Sequence, residues 1–314
     1  MNRKAPSSGN LAADITKSAS KQTYYTIRFF ADRDRVVDAY RAYGYFRWVD
    51  DVIDEESSSG VERIAFANRQ KSLLESCYRG ETPDDLCAEE WMLVDLVRND
   101  TEKNSGLQTY LRNMMDVMIV DANRRGQVIS QVELFDYSHK LSKAVTEAMY
   151  YFIGHNDPPP CHEARYMAVT AAHITHMLRD ALEDVENGYY NIPKEYLQAC
   201  GISPQDVKSQ PYRQWVCGQV QLARGYFKLG RECTAQVRNL RCRLAGYAYT
   251  ARFEWMLDAI ERDNYCLRSE YRERKSLWTG LWMGWSTLTS MFASLKIKTE
   301  AHKLAQQPIR IEKR

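Results

Sequence analysis

The amino-acid sequence predicts an all-α protein built as one large helical domain. Only nine prolines and fifteen glycines occur in 314 residues, so long stretches lack the residues that most often end a helix. Within those stretches apolar residues recur at helical spacing, and runs that alternate like a half-buried strand are few. With 44% hydrophobic residues, a chain of this length can bury a large core as a single domain.

Short polar breaks divide the first half of the chain into helices. Residues 1–19 are basic, rich in serine and without an apolar core, which predicts a disordered arm and excludes a secretory signal. The helices predicted after the arm span 23–30, 35–54, 61–78, 87–99, 106–121 and 131–154. The stretch that follows, Gly-His-Asn-Asp-Pro-Pro-Pro, is the strongest break in the sequence because proline removes a helical hydrogen bond.

The second half continues with longer helical patterns. Helices are predicted over 162–185, from Lys194 for a short distance, over 205–244 and over 246–264. Residues 276–295 carry no charge and include three tryptophans, so they reach the length of a membrane span. Their serine, threonine and glycine content favours a buried or interfacial helix instead. Together the helices form a predicted domain over 20–295, followed by a charged tail over 296–314.

Charge and cysteine content narrow the class of protein. Forty-three basic and 41 acidic residues give a net charge of +2 with no basic block, which argues against nucleic acid as a partner. The eight cysteines never form a C-x-x-C pair, as is typical of reduced thiols in a cytoplasmic protein. A peripheral contact with a membrane through residues 276–295 stays open, and so does the choice between a monomer and a homodimer.

An apolar helical pattern turns acidic between Tyr43 and Asp54. On a helix Tyr43, Arg47, Asp50 and Asp54 share one stripe, with Asp51 beside it. Like charges four residues apart destabilise a helix by roughly 0.2–0.5 kcal/mol, and by more on a buried face. The pair of aspartates therefore predicts a bound cation.

A second helix repeats this arrangement. His173, His176, Asp180 and Asp184 lie on one face of the helix predicted over 162–185, and Arg179 is adjacent. A single D-x-x-x-D pair is usually a solvated acidic face. Two such pairs, each after an apolar helix and each beside an arginine, instead predict opposed carboxylates that hold Mg²⁺ ions on one anionic group such as a diphosphate.

These motifs resemble the squalene/phytoene synthase family in order and spacing. The resemblance runs over roughly residues 20 to 285 and rests on the two aspartate motifs, with support from Ser20-Lys21, Met118–Asp121, Tyr137, Asn191–Pro193 and Leu257–Tyr265. It implies an isoprenoid synthase fold, a single helical bundle around a central apolar cavity. It also implies Mg²⁺-dependent head-to-head condensation of two prenyl diphosphates through a cyclopropyl intermediate.

The resemblance assigns roles to individual residues. Asp50 and Asp54 would bind Mg²⁺ from one side, and Asp180 and Asp184 from the other. The remaining matches are substrate-binding or catalytic: Arg47 and Arg179 beside the diphosphate, Tyr137 in the cavity facing a carbocation, Ser20 and Lys21 in a flap, and Tyr43 and His173 at the substrate.

The sequence departs from the family pattern at two places. His173 and His176 stand where the family has glutamine and asparagine, the asparagine being a metal ligand. An imidazole at the metal would favour Mn²⁺ or a softer ion over Mg²⁺, although both histidines are equally well explained as hydrogen-bonded polar residues. Lys143 and Thr146 replace small residues beside the prenyl chains, which leaves the chain length of the substrate open.

The predicted activity is therefore a head-to-head prenyltransferase that uses farnesyl or geranylgeranyl diphosphate and yields a squalene-, dehydrosqualene- or phytoene-like hydrocarbon. Whether NADPH reduces the product is not determined by the sequence. One alternative is a terpene cyclase-like enzyme that ionises a single prenyl diphosphate. Another is a non-catalytic member of the family that acts as an assembly factor, against which the four intact aspartates argue.

Overall fold

The computed structural model describes residues 7–55, 59–157, 159–160, 162–272 and 278–291. Its helices are α1 (Ser8–Ala19), α2 (Lys21–Phe30), α3 (Val36–Asp54), α4 (Gly60–Tyr78), α5 (Glu90–Asn99), α6 (Gly106–Arg124), α7 (Gln131–Phe152), α8 (Met167–Glu186), α9 (Lys194–Cys200), α10 (Gln210–Gln236), α11 (Leu240–Arg262) and α12 (residues 278–291). Within these ranges the extended backbone pairs only at an isolated bridge between Val128 and Tyr190. The all-α prediction is confirmed.

Serine residues fix where many of the helices begin. The side chains of Ser105 and Ser209 accept hydrogen bonds from the first turns of α6 and α10. Ser59 and Ser130 each form a full capping box with a glutamate three residues later, at the starts of α4 and α7. Because such caps satisfy backbone N–H groups that the helix leaves free, they set the boundary more sharply than helical periodicity does.

The expected disordered arm is wrong for residues 8–19, which form α1; residues 1–6 lie outside the described chain. This helix packs along α3, with Ala12 and Thr16 fully buried. The close approach depends on Gly44 of α3, where a Cβ would lie 3.1 Å from the Ala12 backbone. The small residues of this segment, which favour disorder in the sequence, allow α1 to lie close to α3.

The predicted helix over 205–244 is also wrong in its bounds. The chain leaves the helical conformation at Val237, and α11 starts after Asn239. The Asn239 side chain accepts hydrogen bonds from the N–H groups of Arg241 and Cys242 and donates one to Asp157. The break is therefore set by a capping asparagine rather than by glycine or proline.

Two apolar cores lie on either side of the pair formed by α7 and α8. The first core joins α1 to α7 and also includes Val237 and Cys242 from the region where α10 meets α11. The second core joins α8 to α11 and also includes Leu134 of α7. In the second, α8 and α10 approach so closely that a Cβ on Gly230 would lie 2.6–2.8 Å from atoms of Ala168. The two cores thus share boundary helices and form one continuous bundle.

Asp32, in the loop between α2 and α3, joins three distant parts of the chain. Its carboxylate accepts hydrogen bonds from the backbone N–H groups of Gly154 and His155 and from the Arg241 side chain. Burial acts to raise the pKa of Asp32, but these donors outweigh it and hold the pKa below its ordinary value. We call this arrangement the Asp32 junction.

The C-terminal region is described only over α12. Residues 276–277 and 292–295 of the uncharged stretch, and the predicted tail 296–314, lie outside the described chain. Among the helices that the structure does describe, none combines the length and the apolar character that crossing a bilayer requires. The seven described cysteines are free thiols, as their spacing predicts.

Candidate active site

The carboxyl-terminal turns of α3 place the first aspartate motif at one end of the bundle. Arg47 donates a hydrogen bond to Asp50 at 3.2 Å and another to Asp51. Asp50 is 38% exposed and Asp51 is 54% exposed, so the motif faces an opening rather than the core. Tyr43 lies one turn before Arg47 on the same helix.

The second motif lies on α8. Arg179 donates from Nε to Asp180 at 2.6 Å and forms a second bond to the other oxygen of the same carboxylate. It also contacts Nε2 of His176 at 2.6 Å, while Nδ1 of that imidazole lies 3.5 Å from Asp180. Like Arg47, Arg179 is thus held by the aspartate motif beside it.

A buried ion pair from α6 stands between the two motifs. Arg124 donates from Nε to Asp121 at 2.8 Å, and the hydroxyl group of Tyr137 on α7 donates to the other oxygen of Asp121 at 3.0 Å. The side chains of Arg124 and Asp121 are 14% and 15% exposed. Burial raises the pKa of Asp121, which Arg124 and Tyr137 partly offset.

The loop after α8 links this ion pair to both motifs. Asn191 accepts a hydrogen bond from Arg124 at 2.8 Å and donates one to Asp184 at 2.8 Å. Tyr189 donates from its hydroxyl group to Asp54 at 3.0 Å, which connects the loop to the end of α3. We call Asp121, Arg124, Tyr189 and Asn191 the bridging network, because it joins the carboxylates of α3 to those of α8.

The electrostatics show that these carboxylates are close to one another. Desolvation, followed by the neighbouring charge of Asp54, raises the pKa of Asp50 to about 7, and Asp121 contributes in the same direction. Desolvation and then Asp180 raise the pKa of Asp184 to about 7, again with a contribution from Asp121. Asp121 is therefore near both motifs, and the negative charges of the site outnumber the arginines beside them.

His173 and Tyr137 pack against each other at the inner side of the site. Their ring centroids are 5.3 Å apart, and the Arg124 guanidinium lies 4.9 Å from the centre of the Tyr137 ring. Burial lowers the pKa of His173 to about 3, with smaller contributions from His176 and Arg124, so the imidazole is neutral. Its Nε2 is buried without a hydrogen-bond partner among the described residues.

The predicted flap residues lie at the start of α2. Ser20 caps that helix by accepting a hydrogen bond from the backbone N–H of Thr23 at 3.1 Å, and Lys21 is its exposed first residue. The structure thus gives Ser20 a capping role within α2. The role of Ser20 and Lys21 over a substrate stays a prediction.

The predicted divergence near the prenyl chains falls on α7. Ser142 and Thr146 are fully buried, and Lys143 is half-buried. The Thr146 hydroxyl group has no hydrogen-bond partner within the described part of the protein. A polar atom therefore sits unpaired in the interior where the family has a small residue.

The donor chemistry fits a hard divalent cation. Asp50, Asp54, Asp180 and Asp184 offer carboxylate oxygens in two pairs, and burial together with neighbouring carboxylates raises the pKa of Asp50 and of Asp184 despite the nearby arginines. Among the described residues no three carboxylate, imidazole or thiol groups are gathered closely enough to hold a metal ion by themselves. Mg²⁺ needs only one or two protein carboxylates when phosphate oxygens and water complete its shell.

The bridging network contains functional candidates that sequence reasoning missed. Asp121 and Asn191 belong to motifs that resemble the family, but the resemblance gives neither of them a role in the site. Arg124 belongs to the stretch Asn-Arg-Arg-Gly over residues 123–126, which predicts a helix break; α6 ends inside it, with Arg124 as its last residue. Tyr189 carried no signal beyond its place in a loop directly after the second motif.

The sequence model of the family described as squalene/phytoene synthase matches residues 16–279. The chloroplastic phytoene synthase 3 of Zea mays is 23% identical over 78% of this chain and 57% of its own length. The presqualene diphosphate synthase of Zymomonas mobilis is 25% identical over 64% of this chain and 65% of its own length. The chain therefore spans less than two thirds of these curated relatives.

Two crystal structures share the fold. One is the squalene synthase HpnC from Alicyclobacillus acidocaldarius, with a TM-score of 0.65, 18% identity and coverage of 83% of this chain and 95% of that one. The other is a dehydrosqualene synthase in complex with ligand, with a TM-score of 0.67, 16% identity and coverage of 93% and 97%. At these identities the likeness establishes the architecture, and the predicted isoprenoid synthase fold is confirmed.

Proposed function

The chain belongs to the squalene/phytoene synthase family, and on that premise we propose that it is a prenyltransferase that joins two prenyl diphosphates head to head and releases diphosphate. Farnesyl and geranylgeranyl diphosphate are the proposed substrates. The main support for the proposal is that the two aspartate motifs are connected by hydrogen bonds through one bridging network. The terpene cyclase-like and assembly-factor alternatives are not favoured by the named relatives.

The proposed work of the site is to draw a diphosphate away from an allylic carbon. Asp50 and Asp54 on α3, and Asp180 and Asp184 on α8, would hold Mg²⁺, which supplies Lewis-acid stabilisation of the departing diphosphate when bound. Breaking the C–O bond sends its electron pair to the diphosphate oxygen and leaves an allylic cation. The diphosphate would leave between the two motifs, where the positive charge of bound metal and of the guanidinium groups would stabilise it.

Arg47 and Arg179 are the proposed diphosphate-binding arginines. Each is bound to its own aspartate motif in the structure, Arg47 through Asp50 and Asp51 and Arg179 through Asp180. If metal charge neutralises those carboxylates, the guanidinium groups become free to turn toward a diphosphate. Arginine suits this role because its planar fork binds two oxygens at once.

Tyr137 and His173 are the proposed residues on the cation side. A neutral imidazole next to an aromatic ring provides a polarisable surface without adding positive charge. Because the Arg124 guanidinium already lies over the Tyr137 ring, that ring can stabilise a cation only through a face or edge that Arg124 leaves open. The hydroxyl group of Tyr137 is fixed by Asp121, which orients the ring.

Product analysis tests this proposal directly. The purified protein is incubated with farnesyl and with geranylgeranyl diphosphate, with and without Mg²⁺ and NADPH, and the extracted hydrocarbons are identified. The expected result is a head-to-head hydrocarbon that requires Mg²⁺. A cyclised or hydrolysed single prenyl unit, or no turnover with either substrate, would refute it.

Matched variants connect the activity to the two motifs. Asp50→Ala and Asp180→Ala should each lower diphosphate release by more than about tenfold, which corresponds to about 1.4 kcal/mol of transition-state stabilisation. The helical circular dichroism spectrum should not change, since neither side chain belongs to a core. Asp136→Ala, on the exposed surface of α7, is the control and should leave activity unchanged. Retention of more than a tenth of the activity by either motif variant would contradict the assignment.

A further inference from the structure

The loop between α8 and α9 (residues 187–193) is held by the loop between α6 and α7 (residues 125–130). Backbone contacts join the two loops at three places, namely Gly126 N–H to the Gly188 carbonyl at 2.7 Å, the bridge between Val128 and Tyr190, and Lys194 N–H to the Ile129 carbonyl at 2.8 Å. Gly188 has a φ of +81°, and a Cβ there would lie 3.3 Å from the backbone nitrogen of Gly126. The backbone of the 187–193 loop is therefore fixed at both ends and in the middle.

Two side chains of this loop each bond to the last aspartate of one motif. The Tyr189 hydroxyl group donates to Oδ1 of Asp54 at 3.0 Å, and the Asn191 amide group donates to Oδ2 of Asp184 at 2.8 Å. No other described residue donates a hydrogen bond to the side chain of Asp54 or Asp184. Each carboxylate thus has one oxygen oriented by the loop and a second oxygen left for a metal ion.

The first aspartate of each motif is held in a different way. Asp50 pairs with Arg47 and Asp180 pairs with Arg179, each on its own helix. A guanidinium group and a metal ion compete for the same carboxylate because both are positive. The hydroxyl and amide groups of the loop are neutral, so they orient the last aspartate of each motif without cancelling the negative charge that attracts a cation.

Arg124 fixes the two loop side chains relative to each other. It donates to the amide oxygen of Asn191 at 2.8 Å, and its guanidinium group lies 5.2 Å from the centre of the Tyr189 ring. Arg124 is itself bound to Asp121 on the same helix. One connected set of side chains therefore orients a carboxylate of α3 and a carboxylate of α8 together.

We propose that Tyr189 and Asn191 are positioning residues, which fix Asp54 and Asp184 so that both motifs hold Mg²⁺ together with one diphosphate. This role rests on the proposed function, because it concerns the metal ions and the leaving group of the same site. Removing a group that orients a metal ligand typically lowers metal affinity by about 10–100-fold. The two residues should therefore control the Mg²⁺ concentration that diphosphate binding requires.

Calorimetric titration of inorganic diphosphate into the full-length protein, over a series of Mg²⁺ concentrations, measures this role. No prenyl substrate is present, so the result does not depend on turnover. The wild type should bind diphosphate only when Mg²⁺ is added. Tyr189→Phe removes only the hydroxyl group that bonds to Asp54, and it should raise the Mg²⁺ concentration for half-maximal binding by about tenfold. Asn191→Ala should act in the same direction and at least as strongly.

Tyr190→Phe is the matched control, because it removes a hydroxyl group from the next residue of the same loop. That hydroxyl group bonds to Gln205 at 3.3 Å rather than to either motif. The control variant should need the same Mg²⁺ concentration as the wild type within about twofold.

Recovery at high Mg²⁺ distinguishes positioning from loss of structure. If Tyr189→Phe only misorients Asp54, saturating Mg²⁺ should restore its diphosphate affinity to within about twofold of the wild-type value. A disordered loop would lower the affinity at every Mg²⁺ concentration. Asn191→Ala also removes an acceptor from Arg124 and so destabilises the fold. Tyr189→Phe loses only an exposed hydrogen bond and should keep the helical circular dichroism spectrum.

Three results would overturn the positioning role. They are a Mg²⁺ requirement of either variant within about twofold of the wild type, a loss of diphosphate affinity in Tyr189→Phe that saturating Mg²⁺ does not relieve, and no Mg²⁺-dependent diphosphate binding by the wild type. A raised Mg²⁺ requirement of both variants, in a protein that forms no hydrocarbon, would support the positioning role and refute the proposed activity. Head-to-head product from Tyr189→Phe with an unchanged Mg²⁺ requirement would do the reverse.

Discussion

Replacing Arg124 by methionine should destabilise the protein strongly, because it removes the centre of the bridging network. The substitution keeps most of the side-chain volume but leaves Asp121 as an uncompensated, largely buried carboxylate. Breaking one partner of a buried ion pair costs about 3–5 kcal/mol. Since Arg124 and Asp121 retain 14% and 15% exposure, we expect the lower end, about 3 kcal/mol.

The neighbouring arginine provides the matched control. Arg125 donates one exposed hydrogen bond to the backbone carbonyl of Asn187 at 3.1 Å. Arg125→Met should therefore cost less than about 1 kcal/mol. Urea denaturation followed by circular dichroism measures both values, and on thermal melting the Arg124 variant should lose about 4–5 °C.

A double-mutant cycle separates the ion pair from other effects. Asp121→Asn removes the buried charge but keeps an oxygen that can accept the Tyr137 hydroxyl. Combined with Arg124→Met, it should be less destabilising than the sum of the single changes by at least about 1 kcal/mol. If the two changes add within about 0.5 kcal/mol, or if Arg125→Met is as damaging as Arg124→Met, the bridging network does not hold the two motifs together.

Three further predictions concern separate features. His176→Asn should keep or raise turnover with Mg²⁺ and shift metal preference away from Mn²⁺, whereas His176→Phe should lose activity; similar behaviour of the two variants in a metal titration would remove His176 from the metal site. Gly230→Ala should destabilise by about 1–3 kcal/mol in urea, because its Cβ would meet the Ala168 backbone, while Gly225→Ala on the same helix meets nothing within 4 Å and should be neutral or stabilising. Thr146→Val should raise stability by about 1 kcal/mol, since it replaces a buried, unpaired hydroxyl group by a methyl group; an unchanged or lower denaturation midpoint would show that the hydroxyl is paired.

The parts of the fold that the sequence predicted are those governed by periodicity. The helices that carry Asp50 and Asp180 follow long apolar patterns, so their existence and the face shared by their aspartates could be derived from spacing alone. The break before α11 could not, because residues 237–239, which form it, include neither glycine nor proline. Its position depends on Asn239, whose capping role is completed by a contact with Asp157, distant in sequence.

In the site, too, some features follow from local spacing and others depend on contacts between residues distant in sequence. Each D-x-x-x-D pair is local, and its neighbouring arginine follows from helical geometry. Arg124 is different, because two consecutive arginines before a glycine do not reveal which one turns inward. That choice follows from one additional turn of α6, from Asp121 on the same helix and from Asn191 in the loop after α8, which both accept hydrogen bonds from Arg124. The bridging network is therefore a tertiary property that local pattern cannot contain.

The Asp32 junction can form only late in synthesis, because its partners are made long after Asp32. Its partners are separated from Asp32 by 122, 123 and 209 positions. At a synthesis rate of about 5–20 residues per second, Arg241 is made roughly 10–40 s after Asp32. Throughout that interval the loop between α2 and α3 lacks its guanidinium partner, and the first core lacks Val237 and Cys242. The seventh helix is complete at Phe152, 90 residues before Cys242, so the nascent chain spends about 5–18 s with seven of its helices made and their core still open.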